Sequence, residues 1–259
     1  GEGLRFRRTI AIDADYMFTV TQQIENYGTE YITLFPFGLI SRRGTPETSR
    51  FFILHEGPIG VFDGVLDQTD YDDVQDADDG RIVETTTGGW IGFTDKYWLV
   101  ALVPDQQQAV TTSLNHRIAG GDDRYRADYL WNGVEVPAGG QAEVTNRLFA
   151  GAKVVRTLDG YRNGLDIPLF DRAVDFGIWF FLTKPIFIVL RYFTEIIGNF
   201  GLSILLLTVL VKLLFFPLAN KSYRAISKMK LLAPQMKEIR EQHKDNRAEQ
   251  QKAMMDLYK

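Results

Sequence analysis

One lysine stands where lysines are costly. Lys212 interrupts the stretch Phe200–Leu218, in which fourteen of 19 residues are Leu, Ile, Val or Phe and no other is charged. At 100° per residue Gly201, Leu205, Thr208 and Lys212 share one side of a helix, followed by Phe215 and Phe216. The functional reading is that Lys212 faces a watery cavity made with other helices, since ionisable residues inside a membrane usually mark functional paths. The passive alternative is also physical. Lys212 lies about 8 Å of helix from Pro217, and its stem could carry the ammonium to headgroups. Spacing alone leaves both open.

Other candidate chemistry is thinner. His55 and His116, with Glu56 beside the first, could serve acid–base work in a sugar-processing site, but isolated histidines on strands are more often structural. The run Asp67–Asp79 holds seven aspartates. With Gly80 at the sixth place of a calcium loop, the first and third ligands would be Gln75 and Ala77, so the run reads as a solvated loop. Cysteine is absent, which removes disulfides, thiolate nucleophiles and thiolate-held metals. No phosphate-binding glycine loop is present. The reading is no metal, no cofactor and no enzyme.

The element that positions Lys212 is legible in outline. As a helix the apolar stretch would be about 28 Å long, close to the hydrocarbon thickness of a bilayer. Each large apolar residue contributes about −0.3 to −0.6 kcal/mol to insertion against about +3 for one central lysine. Fourteen outweigh one, so 199–218 is expected to span. Residues 220–259 carry ten Lys/Arg and five acids, whereas residues 1–170 carry 15 and 25. Basic flanks stay in the cytoplasm, which places residues 219–259 inside and residues 1–170 outside. The chain opens on Gly without a leader, so the natural protein is expected to begin further upstream.

Residues 1–160 read as an all-β sandwich domain. Runs rich in β-branched and aromatic residues at Leu4–Ile12, Met17–Ile24, Glu30–Phe37, Phe51–His55, Arg81–Thr86, Gly89–Phe93, Tyr97–Val103, Gln108–Leu114, Tyr125–Trp131 and Gln141–Ala150 alternate with turn signals such as Asn26-Tyr27-Gly28, Gly57-Pro58 and Asp63-Gly64. Gly88-Gly89-Trp90 suggests a close backbone approach with an aromatic anchor. Residues 161–198 connect the domain to the span. Within them Phe176–Phe193 is apolar but broken by Lys184-Pro185 and Arg191, and Trp179 and Tyr192 suit the headgroup level, so an interfacial helix is expected. Gly198 should stop it, and Asn199 should cap the next. The tail 219–259 is expected to be a helical hairpin, with a kink or break at Pro234, a turn at 243–246 and a second helix from Arg247. Its Lys228, Lys230, Lys237 and Arg240 could touch anionic lipid or ribosomal RNA, or simply hold the tail inside.

Several segments together carry a resemblance: Ala173-Val174-Asp175-Phe176-Gly177, Gly198-Asn199-Phe200-Gly201-Leu202-Ser203-Ile204, Val211-Lys212-Leu213-Leu214-Phe215-Phe216-Pro217-Leu218, Lys228-Met229-Lys230-Leu231-Leu232-Ala233-Pro234 and Met254-Met255-Asp256-Leu257-Tyr258-Lys259. They resemble the YidC family of bacterial membrane-protein insertases, and Gly88-Gly89-Trp90 extends the likeness to that family's periplasmic domain. The resemblance implies a large mutarotase-like β-sandwich followed by α-helical membrane and cytoplasmic segments: an interfacial helix, a first core helix and a cytoplasmic hairpin. It also implies a hydrophilic intramembrane groove bearing a basic residue at the position of Lys212 and a threonine at that of Thr208. Lysine keeps the charge but not the guanidinium fork. The implied partners are nascent membrane proteins, the Sec translocon and its accessory proteins, a ribosome or targeting receptor at the hairpin, and lipid. On this reading the chain is a fragment, lacking the N-terminal anchor, the start of the periplasmic domain and four further core helices. The rival reading is a tethered periplasmic carbohydrate-binding or scaffolding module, with a sugar pocket lined by His55 or His116.

Overall fold

The computed structural model describes residues 3–48, 54–177, 179–242, 251 and 255. Two compact units divide it, Gly1–Phe180 and Phe181–Lys259. In the first, thirteen strands run β1 Leu4–Ile12, β2 Met17–Asn26, β3 Ile32–Leu34, β4 Phe37–Arg43, β5 Gly57–Phe62, β6 Val65–Gln68, β7 Arg81–Thr87, β8 Trp90–Thr94, β9 Trp98–Val103, β10 Ala109–Ala119, β11 Asp122–Trp131, β12 Val134–Val136 and β13 Gln141–Ala152. Helix α1 is Tyr71–Asp76 and α2 is Val155–Gly164, with 3₁₀ turns at Asp78–Gly80 and Phe170–Ala173.

All the pairings are antiparallel. A seven-stranded sheet in the order β1-β2-β13-β9-β8-β5-β6 faces a four-stranded sheet in the order β4-β11-β10-β7, and β12 and β3 form a separate ribbon. The larger sheet is covered on both sides because its side chains alternate between two cores. Trp90, Leu99, Ala101, Val103 and Phe149 pack with Leu158 of α2 and with Ile167 and Phe170. Ile91, Phe93, Leu102 and Val144 meet Leu114, Tyr125, Tyr129 and Trp131 of the smaller sheet. This double cover is why β9 reads as the unbroken apolar run Trp98-Leu99-Val100-Ala101-Leu102-Val103.

Some expectations are corrected. Gly57-Pro58 opens β5 and is not a turn; Gly57 pairs with Thr94 and Pro58 with Phe93. The acidic run is not a plain loop. Asp70 and Asp73 form a reciprocal capping box that starts α1, whose Tyr71 and Val74 are buried. The first part of the expected strand Phe51–His55 lies outside the described residues, as do the turn at 243–246 and most of the second tail helix.

The Gly88-Gly89-Trp90 step does what its residues suggest. Both glycines have positive φ, and a Cβ on Gly89 would sit 2.0 Å from the Val61 carbonyl oxygen. Trp90 is buried, donates Nε1–H to the Pro168 carbonyl at 2.9 Å and meets Phe170 edge to face at 5.3 Å.

Helix α3, Phe180–Ile197, begins at the last residue of the first unit and has Pro185 inside its second turn, and α4 runs Phe200–Gln242 through Pro217 and Pro234. The helix is continuous across both prolines, so Pro234 begins no separate segment. Gly198 takes a φ of 71° and donates its N–H to Thr194, while the Asn199 side chain accepts the Leu202 N–H at 3.2 Å, closing one helix and opening the next.

Candidate functional site

The site is built on α4. Within Phe200–Arg224 the helix is long and apolar enough to cross a membrane, an 18-residue window of it having a mean hydropathy of 2.4. The apolar stretch ends at Leu218, so Lys212 stands twelve residues, about 18 Å of helix, from Phe200 and six residues, about 9 Å, from Leu218. Gly201, Leu205, Thr208 and Lys212 share one face, and all four are exposed. The shielded positions, Ser203, Leu207 and Val211, recur every four residues on another face. Thr208 donates its hydroxyl hydrogen to the Ile204 carbonyl at 2.8 Å, which leaves the oxygen lone pairs as its outward chemistry. The stripe therefore offers one cation and one hydroxyl acceptor on an open apolar face.

On α3, Trp179 just before the helix and Tyr192 within it are exposed, and Pro185 lies inside the helix, where it has no N–H for the i→i−4 hydrogen bond. Arg191 is held by Glu195 one turn on, at 3.1 Å. In the tail, Lys230 is exposed. The side chains of Lys228, Lys237 and Arg240 lie outside the described part.

In the sandwich the two histidines stand apart. His55 precedes β5, with Nε2 2.9 Å from the Pro58 carbonyl and Nδ1 3.8 Å from Asp70. His116 is on β10, 2.9 Å from Asp123 and tilted against the Tyr125 ring. A depression of about 380 Å³ beside His116 is lined by Ser41, Asn115, Arg117, Arg124 and Arg126. That lining is cationic, without the carboxylates a sugar-isomerising pocket needs. A larger cleft of about 520 Å³ holds Phe6, Ile10, Phe37, Leu39 and the buried Asn146, and neither histidine.

Sequence reasoning missed the anchoring of the segment that leads out of the sandwich. Asp175 accepts the His55 N–H at 3.1 Å and the Gly177 N–H at 2.6 Å. Lys153 donates to Thr94 at 2.8 Å; burial pushes its ammonium below the ordinary value, against the pull of Asp175, Glu56 and Asp95. Asp175 was visible in the sequence as part of a motif, but its partner lies 120 residues away in the chain.

A β-sandwich domain joined to an apolar helix of spanning length, with one cation inside the apolar run, defines a membrane protein with a large extramembrane domain. The YidC periplasmic domain family matches residues 1–189, and the 60Kd inner membrane protein family matches residues 192–259. Membrane protein insertase YidC of Bradyrhizobium diazoefficiens is 44% identical over 268 residues, covering all of this chain and 43% of that protein. The namesake of Methylobacterium sp. strain 4-46 is 44% identical over 267 residues, with the same coverage. The chain belongs to the YidC family of inner membrane proteins. It spans less than half the length of those relatives. A solved putative aldose 1-epimerase from Klebsiella pneumoniae has a TM-score of 0.43 at 9% identity, covering 64% of this chain and 52% of its own. Nothing about activity is taken from it.

Proposed function

We propose that the full-length protein inserts nascent membrane proteins into the inner membrane, and that the face of Gly201, Leu205, Thr208 and Lys212 lines a hydrophilic recess completed by helices beyond this chain. The observation that carries this reading is the place of Lys212 inside the apolar run, on the same open face as Thr208. It lies about 18 Å of helix from Phe200 and about 9 Å from Leu218, so its ammonium needs water, a counter-charge or the inner headgroups within reach of its stem. In such a recess the lysine attracts the acidic tail of a substrate, while the substrate's apolar helix partitions into lipid and drives the step.

The division that goes with this is a periplasmic sandwich over 1–160, a connecting and interfacial segment over 161–198, a span over 199–218 and a cytoplasmic tail over 219–259. The acidic outer domain and the basic tail support that orientation. The tail's exposed Lys230 and its neighbouring bases suit contact with lipid, ribosome or a targeting receptor, and cooperation with the Sec translocon belongs to the same reading. The test is depletion of the full-length protein with complementation by Lys212→Ala and Lys212→Arg. Lys212→Ala should slow insertion of small acidic-tailed membrane proteins and Lys212→Arg should restore it. Normal insertion with Lys212→Ala refutes the electrostatic role.

A further inference from the structure

At one end of the seven-stranded sheet three pieces of chain converge. They are the turn between β1 and β2, the turn between β8 and β9, and the step from β13 into α2. Ala150 donates its N–H to the Tyr16 carbonyl at 3.3 Å, Lys153 donates to the Tyr97 carbonyl at 2.8 Å, and Ala152 pairs with Trp98. The side chains gathered there are amphipathic aromatics and an aliphatic left in the open: Tyr16, Tyr97, Trp98 and Val154 are 59, 65, 60 and 51% exposed. Lys96 lies 5.3 Å over the Tyr97 ring. Glu47 and Glu56 line a depression with Lys96, Tyr97 and Trp98, and two further acids at this end are engaged. Asp95 is paired with Arg42 at 2.6 Å, and Asp13 is bound by the Tyr161 hydroxyl. Asp15 faces the Thr157 hydroxyl at 3.5 Å.

We propose that this end of the sandwich rests in the headgroup layer of a lipid surface. Tyrosine and tryptophan rings with a neighbouring lysine favour that layer, where rings shed water and polar edges keep hydrogen bonds. The chain also leaves the domain here. Glu56 and Gly57 enter β5 beside Thr94 at this same end, and the neighbouring His55 holds Asp175, five residues before α3 begins at Phe180. The far end differs in this respect. Tyr27 and Tyr31 are equally bare, but Tyr27 donates to Glu25, which also pairs with Arg5 at 3.6 Å, and the chain does not leave the domain there.

The inference rests on α4 spanning the bilayer, and the experiment separates the two. The chain has no cysteine, so single cysteines at Val154→Cys, Tyr31→Cys and Leu206→Cys can carry an environment-sensitive fluorophore. The protein is reconstituted in phosphatidylcholine–phosphatidylglycerol vesicles containing headgroup-spin-labelled lipid. The label at 154 should emit to the blue of the label at 31 and be quenched severalfold more. Replacing Tyr97 and Trp98 together by Ser should remove most of that difference. A label at 154 as wet and as weakly quenched as that at 31 overturns the proposal. In that case a label at 206 in hydrocarbon leaves the span intact, and a wet one removes it too.

Discussion

The position of Lys212 inside the apolar run gives a number that can be measured. A lysine at the centre of a spanning helix costs about 2.5–3.5 kcal/mol, whereas a leucine there contributes about −0.3 to −0.6. Lys212→Leu should therefore favour insertion of the isolated segment 199–224 by about 3–4 kcal/mol. At about 1.4 kcal/mol per tenfold, that is more than a hundredfold in the insertion equilibrium. The native segment holds so many Leu, Ile, Val and Phe residues that it inserts fully with or without the lysine, and the difference would be hidden. The segment should first be weakened by leucine-to-alanine changes at Leu206, Leu210 and Leu214, away from the Lys212 face, until about half inserts. The assay is then glycosylation of flanking acceptor sites in a host protein passed through the translocon. Lys212→Leu should carry insertion to near completion, and Lys212→Arg should leave it near half. A shift under about tenfold would mean that the ammonium already sits at the headgroups. The case for a watery recess around it would fall.

The sandwich makes three further predictions. Trp90→Ala should destabilise the domain by about 3–5 kcal/mol, since it empties a buried aromatic site and strands the Pro168 carbonyl; thermal unfolding followed by near-ultraviolet circular dichroism reads this. Gly89→Ala should cost far more than Gly120→Ala. Both glycines have positive φ, but an added methyl meets the Val61 carbonyl at 2.0 Å in one case and nothing within 4 Å in the other, and paired melts would expose equal losses. Asp13 carries a pH prediction. Burial raises its carboxyl, but N–H donors from Met17 and Asp15 and the Tyr161 hydroxyl outweigh it and hold the pKa below the ordinary 3.8. A depressed carboxyl stabilises fully above the unfolded value and loses that contribution as pH falls through the folded one. Water can partly replace the lost donor at the exposed Asp13 carboxylate, so Tyr161→Phe should cost about 0.5–1.5 kcal/mol at neutral pH and clearly less in acid as Asp13 protonates. A pH-independent difference between the two melts would contradict this.

What the sequence disclosed follows from how local each signal is. Strand β1 was read with its observed ends because Asp13-Ala14-Asp15 marks its stop, with the Asp13 carboxylate taking the Asp15 and Met17 N–H groups. Helix α1 was hidden by its own charge: four of the residues from Asp70 to Asp76 are aspartates, and only Tyr71 and Val74, three apart, betray a buried side. Helix α2 was missed for a related reason. Its apolar face is Val155, Leu158 and Tyr161, too brief a period to stand out beside long strands, and the core it covers is assembled from β8, β9 and β13. Pro58 misled because proline usually ends pairing, whereas here it is the second residue of a strand. The stripe on α4 is a different case. The angular coincidence of Gly201, Leu205, Thr208 and Lys212 needs only helical geometry, so it was legible without any neighbour. A recess needs walls, and in this chain the shielded side of α4 is that of Ser203, Leu207 and Val211, while the Lys212 side stays open. A charge inside an apolar helix can be seen in one sequence; what keeps it hydrated must come from residues elsewhere, and the reach of its own side chain decides whether they are needed.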